Sequence, residues 1–376
     1  VLPATVFVFA IAAALAAVTL PSTPAWGWAG TAWAFAYLVR SNAILALSLV
    51  LVHAWRCGRS AAVARLAVPF VVVALGLCAG NVVGGGELVW STTGGGVNLW
   101  LGNNPHADGV NPFFGPDQAS VDAAVRAQAE TAAAADRAYT ARTARFWRDA
   151  PGEALALAWK KLLWTFSAVE LSNNVAIDWK QAHSWVFAMP GIPIGQGLLL
   201  VLAAAGLSLH RRRGDGLEWT LLAPLLMAVG TCVLFFTNAR FRLPMALSLL
   251  VLAGGVAAAL REEIQQSAVR SRRIAGASLA ATAAVLLAYG NWYGVRDYRV
   301  PQLDVNVGAI EREARNFESA ILFLRSGLGR EPRDPIGWVH LALALEQAGQ
   351  VDAAREAYAQ GLVHVPGDPQ IEGMRE

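Results

Sequence analysis

Seven apolar runs, most of them long enough to cross a bilayer, constrain this chain more than any other feature. They are Ala4–Leu20, Trp28–Trp55, Ala67–Gly80, Phe187–His210, Leu217–Phe236, Leu243–Leu260 and Ile274–Gly290. A spanning helix needs about 20 mostly apolar residues, and ~17 at the least. Pro21, Pro24 and Gly27 end the first run. The whole chain is 55% hydrophobic and 15% charged, whereas soluble domains carry about 25% charged residues. The expected fold is therefore an all-α polytopic membrane protein with about seven transmembrane helices, a helical outer-face loop region and a pair of C-terminal helical repeats.

Arginine placement orients these runs. Arg56, Arg59 and Arg65 follow the second run, Arg211, Arg212 and Arg213 the fourth, and Arg261, Arg270, Arg272 and Arg273 the sixth. All three clusters fall on one side, which the positive-inside bias makes cytoplasmic. The segment from 81 to 186, the link between runs five and six, and the C-terminal tail then lie outside. This places the protein in the inner (plasma) membrane as a multi-pass protein with its tail on the extracytoplasmic side. The clusters are too dispersed to form one basic face, so no nucleic-acid partner is expected. Cys57, Cys78 and Cys232 lack ligand-like spacing and read as apolar fillers rather than a disulfide or zinc framework. No cofactor or metal site is expected, although a divalent metal stays open. The first residue is Val1 rather than Met, and no charged flank precedes the first apolar run, so the chain is expected to be truncated at its start.

Three arginines break the pattern. Arg40 lies midway along the second run, beside Ser41 and Asn42. An arginine at the centre of a span costs about 2.5–3.5 kcal/mol on insertion scales, so it must face protein or water. The alternative is two short helices with Arg40 in a turn. Arg240 and Arg242 stand in the short outer link Thr237–Arg242, where positive charge has no topological use. Guanidinium groups bind phosphate in a forked geometry, so a phosphate-bearing lipid is the expected counterpart, against the alternative of side chains snorkelling to headgroups.

The stretch Ser91–Gly109 is too rich in Gly, Asn and Pro to continue a span and reads as a loop at the membrane surface. Gly94, Gly95 and Gly96 permit sharp turns. Asn98, Asn103, Asn104, His106 and Asp108 are sugar-type hydrogen-bonding groups, and Trp90 and Trp100 offer flat faces for a pyranose ring or an interface. A turn-rich connector is the alternative. Beyond it, 117–150 has strong helix propensity, and Asp149 and Pro151 stop one helix and start the next. Ala154–Leu171, with Trp159, Lys160, Lys161 and Trp164, suits a helix lying in the interface. Glu170, Asn173 and Asn174 either line a site or form a solvated turn.

From about Val300 the chain turns charged and helical, with an internal offset of 34 residues. Trp338, Leu341, Ala342, Leu345, Ala354, Tyr358 and Pro366 fall on the tetratricopeptide pattern. One repeat earlier stand Gly308, Ala320, Leu324 and Pro332, with Asp304 in place of the tryptophan. Such arrays need about three repeats or a cap, so this pair is expected to lean on the outer loop or to continue further. The resulting domains are 1–80, 81–186, 187–296 and 300–376. A protein partner for the repeats is possible.

Ser91–Asp108 resembles the loop found in bacterial membrane glycosyltransferases of the GT-C superfamily, relatives of the dolichyl- and polyprenyl-phosphate-mannose protein mannosyltransferases. Thr93 stands where that family often has Asn. Ala239–Pro244 is similar, residue for residue, to the family's motif Ala/Glu-Arg-Phe/Tyr-Arg-Leu-Pro, and Arg40-Ser41-Asn42 resembles its Arg-Pro-Asn. Only Asn81 remains of an Arg-Asn pair. The resemblance implies transfer of a sugar from a polyprenyl-phosphate donor to an acceptor on the outer face. Arg240, Arg242 and Arg40 would bind the donor phosphate; Asn98, Trp100, Asn103, Asn104, His106, Asp108 and Glu170 would bind substrate. It also implies an acidic base in an outer loop upstream of Val1, since Glu87, Asp108, Asp117 and Glu170 carry no motif for that role. Two other classes remain open: a non-catalytic membrane scaffold acting through its repeats, and a lipid-linked saccharide transporter.

Overall fold

The computed structural model describes residues 23–90, 92–110, 118–172, 177–185, 195–209, 217–265 and 270–366, and among them no residue is in a strand. The chain divides into two compact units. One comprises Val1–Val169 and Ile194–Val295, the other Glu170–Pro193 and Arg296–Glu376.

In the first unit α1 (Thr23–Val39), α2 (Ala43–Arg56) and α3 (Ser60–Gly85) are followed by the short α4 (Gly95–Gly102). Then come α5 (Gln118–Gln128), α6 (Ala132–Asp149) and α7 (Pro151–Phe166). After the chain returns from the second unit it forms α9 (Gln196–Leu209), α10 (Leu217–Leu234), the single turn α11 (Ala239–Arg242), α12 (Met245–Gln265) and α13 (Arg270–Tyr289). Helix α1 packs along α3, α2 against α10, and α9 against both α12 and α13. Small residues make these approaches close. A Cβ on Gly30 would press into the Arg65 and Leu66 carbonyls, and one on Gly206 would overlap the Leu252 carbonyl. Ala29, Ala36 and Ala46 are wholly buried.

The second apolar run is two helices rather than one. It breaks at Arg40, Ser41 and Asn42, where turn-forming side chains compete with the helix. The third is longer than expected, extending from Ser60 to Gly85 and ending at Gly86 in the left-handed region (φ 71°). Among the described residues it is the one helix long and apolar enough to cross a membrane. Its best window has a mean hydropathy of 2.3, with 17% of that window buried. Ala43–Arg56, Gln196–Leu209, Leu222–Leu234 and Met245–Arg261 are apolar but shorter. The expected first run, Ala4–Leu20, lies outside the described residues, as do Arg211, Arg212, Arg213, Asn173 and Asn174.

The second unit is built on two helix pairs: α14 (Pro301–Glu313) with α15 (Phe317–Arg330), and α16 (Pro335–Gln347) with α17 (Val351–His364). Gly308 lets α14 and α15 close together, because a Cβ there would press into Leu324 and the Ala320 carbonyl. Asp304, standing where the second pair has Trp338, is buried and accepts from Arg330 Nη2 at 2.6 Å and Ser326 Oγ at 2.8 Å. Trp338 donates through Nε1 to the Pro332 carbonyl at 2.7 Å and stacks on His364. The pair is also covered from within the chain. Helix α8 (Ile177–His183) supplies Trp179, whose Nε1 donates to the buried Glu311 Oε1 at 2.7 Å. Asn316 Nδ2 donates to Oε2 of the same carboxylate at 2.9 Å, and these donors hold Glu311 below the usual carboxylate range. Part of the segment read as an outer loop therefore belongs with the repeats.

Candidate functional site

In the first unit a pocket of about 480 Å³ opens where three separated segments meet beside Leu77 of α3. The first is the break between α1 and α2, contributing Leu38, Val39, Arg40, Ser41 and Asn42. The second runs from Thr92 through Gly94 and Gly95 to Asn98. The third is the end of α10 with the α11 turn, contributing Thr231, Phe235 and Phe241.

Each wall is held by local chemistry. The backbone of the α1–α2 break is hydrogen-bonded: Arg40 N donates to the Ala36 carbonyl, and the Arg40 carbonyl accepts from Ala43 N. Asn42 Nδ2 donates to Thr231 Oγ1 at 3.1 Å, which ties the break to α10. Asn42 Oδ1 is buried and has no hydrogen-bond partner among the described residues. Tyr37 OH donates to the Trp90 carbonyl, and Asn81 Nδ2 to that of Val89, drawing the exit of α3 back over α1.

The glycine run is not loop throughout. Gly94 takes φ 150°, open to glycine, and the eight-residue α4 starts immediately after it. Asn98 Nδ2 donates to the Gly94 carbonyl at 2.6 Å. Asp136 Oδ1, on α6, accepts from Gly96 N at 2.7 Å and Val97 N at 3.4 Å, in the manner of an N-cap supplied from another helix.

The third wall begins with Asn238, which caps α11 by accepting from Phe241 N at 2.9 Å. This seats the Phe241 ring beneath the Arg40 guanidinium, 5.7 Å from its centroid. Arg240 is exposed, and its charge is near enough to act repulsively on Arg40. Two cations thus stand close together, Arg40 in the pocket wall and Arg240 in the adjoining turn.

Several residues expected at a binding site serve the scaffold instead. Arg242 is buried at 2% exposure, donating through Nη1 to the Ser167 carbonyl and through Nη2 to the Val169 carbonyl, both at 2.8 Å. It closes the C-terminal end of α7, where helix carbonyls lack partners. Asn103 Nδ2 donates to the Leu99 and Leu234 carbonyls, and Asn104 Nδ2 to that of Trp100. Asn104 Oδ1 accepts from His106 N, and Asp108 Oδ1 accepts from Val110 N. Those bonds make Asn104 and Asp108 turn formers. Trp100 is half-buried in α4 and His106 is exposed. Glu170 belongs to the second unit.

Lys161 is the residue that the sequence conceals best. Its side chain is wholly buried, and Nζ donates at 3.0 Å to the Gly102 carbonyl, to Asn103 Oδ1 and to the Phe235 carbonyl. It thereby joins the end of α4 to the end of α10, two walls of the pocket. Burial pulls its ammonium down to about 7. Its neighbour Lys160 reaches out over the Trp164 ring. One lysine of the pair thus packs on the buried Trp164 ring, and the other turns fully inward.

Against known families, a tetratricopeptide repeat model matches residues 335–375. Those residues include α16 and α17, so the all-helical chain ends in a tetratricopeptide repeat, a fold used for protein–protein interaction. No curated protein and no solved structure matches the chain.

Proposed function

We propose that this protein is a polytopic membrane glycosyltransferase of the GT-C type, moving a sugar from a polyprenyl-phosphate donor to an acceptor on the outer face of the membrane. The observation that carries this reading is the convergence of Arg40, Asn98 and the Arg240 turn, far apart in the sequence, at one pocket. Arg40 and Arg240 bind the donor phosphate and stabilise its charge as the sugar leaves, the role that preorganised cations play at a developing anion. Asn98, Ser41 and Asn42 offer hydrogen bonds to sugar hydroxyls. Leu38, Val39, Leu77 and Phe235 supply apolar wall for the first isoprene units.

A membrane setting is supported by what α3 exposes. Val68, Val71, Val72 and Leu75 are each at least 47% exposed, unlike the core helix of a soluble protein, whose apolar side chains pack inward. The shorter apolar helices and the run Ala4–Leu20 complete the proposed set of spans. No acidic side chain is among those lining the pocket, so the carboxylate that deprotonates the acceptor is assigned to none of these residues.

The test is sugar transfer from a radiolabelled polyprenyl-phosphate sugar by the detergent-purified full chain. Arg40→Ala and Arg240→Ala are each expected to reduce turnover about 10²-fold or more, while the protein stays folded. The tetratricopeptide match supports a second reading, a scaffold that recruits envelope proteins through its repeats. That reading requires the reverse: deletion of 300–376 abolishes function and Arg40→Ala leaves it intact.

A further inference from the structure

Asp136 stands behind the glycine-rich wall of the pocket, in an alanine-rich helix that gives no hint of a role. Its Oδ1 accepts from the amides of Gly96 and Val97. Its Oδ2 would lie 4.0 Å from a Cβ placed on Gly95, a residue that lines the pocket. A Cβ on Gly96 would overlap the Asp136 carbonyl oxygen and press Thr140 Oγ1, which itself donates to that carbonyl at 2.9 Å. The glycine wall is therefore seated directly on the backbone of α6, with the carboxylate closing the seat.

We infer that Asp136 is a positioning residue for the pocket: by capping α4 from α6 it sets where Gly94, Gly95 and Asn98 stand relative to Arg40. The inference rests on the reading of this pocket as a phosphate-binding site. The capping carboxylate fixes Gly96 and Val97, and the Asn98 side chain is bonded back to Gly94. A shift of α4 along α6 thus carries the pocket's glycine wall and its asparagine together. Acceptance of amide bonds, not negative charge as such, is what the position demands. An asparagine there keeps an acceptor oxygen and an alanine does not.

The experiment measures binding of undecaprenyl phosphate to detergent-purified full chain by tryptophan fluorescence, alongside hydrogen exchange at the Gly96 and Val97 amides. Wild type, Arg40→Ala, Asp136→Ala, Asp136→Asn and Gly96→Ala are compared. The expected result is binding by wild type and its loss in Arg40→Ala. Asp136→Ala should bind about fivefold more weakly with faster exchange at both amides, the size expected of a lost cap. Asp136→Asn should restore both, and Gly96→Ala should behave like Asp136→Ala. If wild type binds and Arg40→Ala does not, but Asp136→Ala binds as wild type, the positioning role is overturned and the pocket reading stands. If Asp136→Asn is as weak as Asp136→Ala, capping is overturned in favour of a charge effect. If wild type does not bind, the pocket reading and this inference fall together.

Discussion

Replacing Lys161 with methionine keeps the length and apolar stem of the side chain and removes only its hydrogen-bonding head. Three buried acceptors lose their shared donor: the Gly102 carbonyl, Asn103 Oδ1 and the Phe235 carbonyl. An unsatisfied buried polar group costs about 1–3 kcal/mol. The three losses do not simply add, because the Asn103 side chain can readjust and because no ammonium need then be buried. A net cost of about 2–5 kcal/mol follows. For a chain of this size about 2 °C of melting temperature accompanies each kcal/mol, so Lys161→Met should melt about 4–10 °C below wild type in detergent. Hydrogen exchange should quicken at the end of α4 and around Phe235 and leave the repeats unchanged, since Lys161 touches only the first unit. A variant with wild-type melting and wild-type exchange at those two places would refute the argument that Lys161 joins them.

The same residue sets a pH dependence. Its folded value of about 7 lies below the ordinary 10.5, so between those limits the unfolded chain binds the extra proton. Stability from this group therefore rises as pH increases from about 7 to 10.5 and is flat below 7; melting temperatures at pH 7 and pH 9.5 should show that rise in wild type and lose it in Lys161→Met. Gly102→Ala places a Cβ on the Phe235 carbonyl, backbone that has no rotamer to yield, and should melt several degrees lower by a strain of about 1–3 kcal/mol. Arg330→Ala withdraws one donor from the buried Asp304 while Ser326 keeps the other. It should cost about 1–3 kcal/mol and quicken exchange only in α14 and α15.

Helix content was legible wherever apolar periodicity or a capping residue marked it. Asp149 and Pro151 do separate α6 from α7, and the spacing of Trp338, Leu341, Leu345 and Tyr358 does mark the last helix pair. The weaker earlier pair was visible through Gly308, whose missing Cβ is a packing requirement rather than a turn signal. Arg40 was conspicuous because an arginine in an apolar run has no cheap explanation; that it stands in a break between helices depended on Ser41 and Asn42, which fit either arrangement. Less legible was the division of labour among polar residues. Asn98 and Asn103 look alike in sequence, yet one lines the pocket and the other binds backbone and Lys161. A hydrogen-bonding side chain declares its capacity and not its partner, and partners here lie as far as 189 positions away. Asp136 and Lys161 were hidden for the same reason: an acid among alanines reads only as helix, and a lysine beside another lysine reads as the polar face of an interfacial helix.

The bond between Trp179 and Glu311 has a bearing on the order of events during synthesis. The segment holding Trp179 leaves the ribosome well before α14 exists, with the helices α9 to α13 made in between. Until Glu311 arrives, that indole has no acceptor from the repeats, and the carboxylate, once made, gains it as a donor beside Asn316. Domains made in one stretch of chain can fold as they emerge; this one must close a long loop first. A fragment beginning at residue 296 would carry Glu311 stripped of both its indole donor and the neighbouring His183, which stands 3.6 Å from the same carboxylate oxygen.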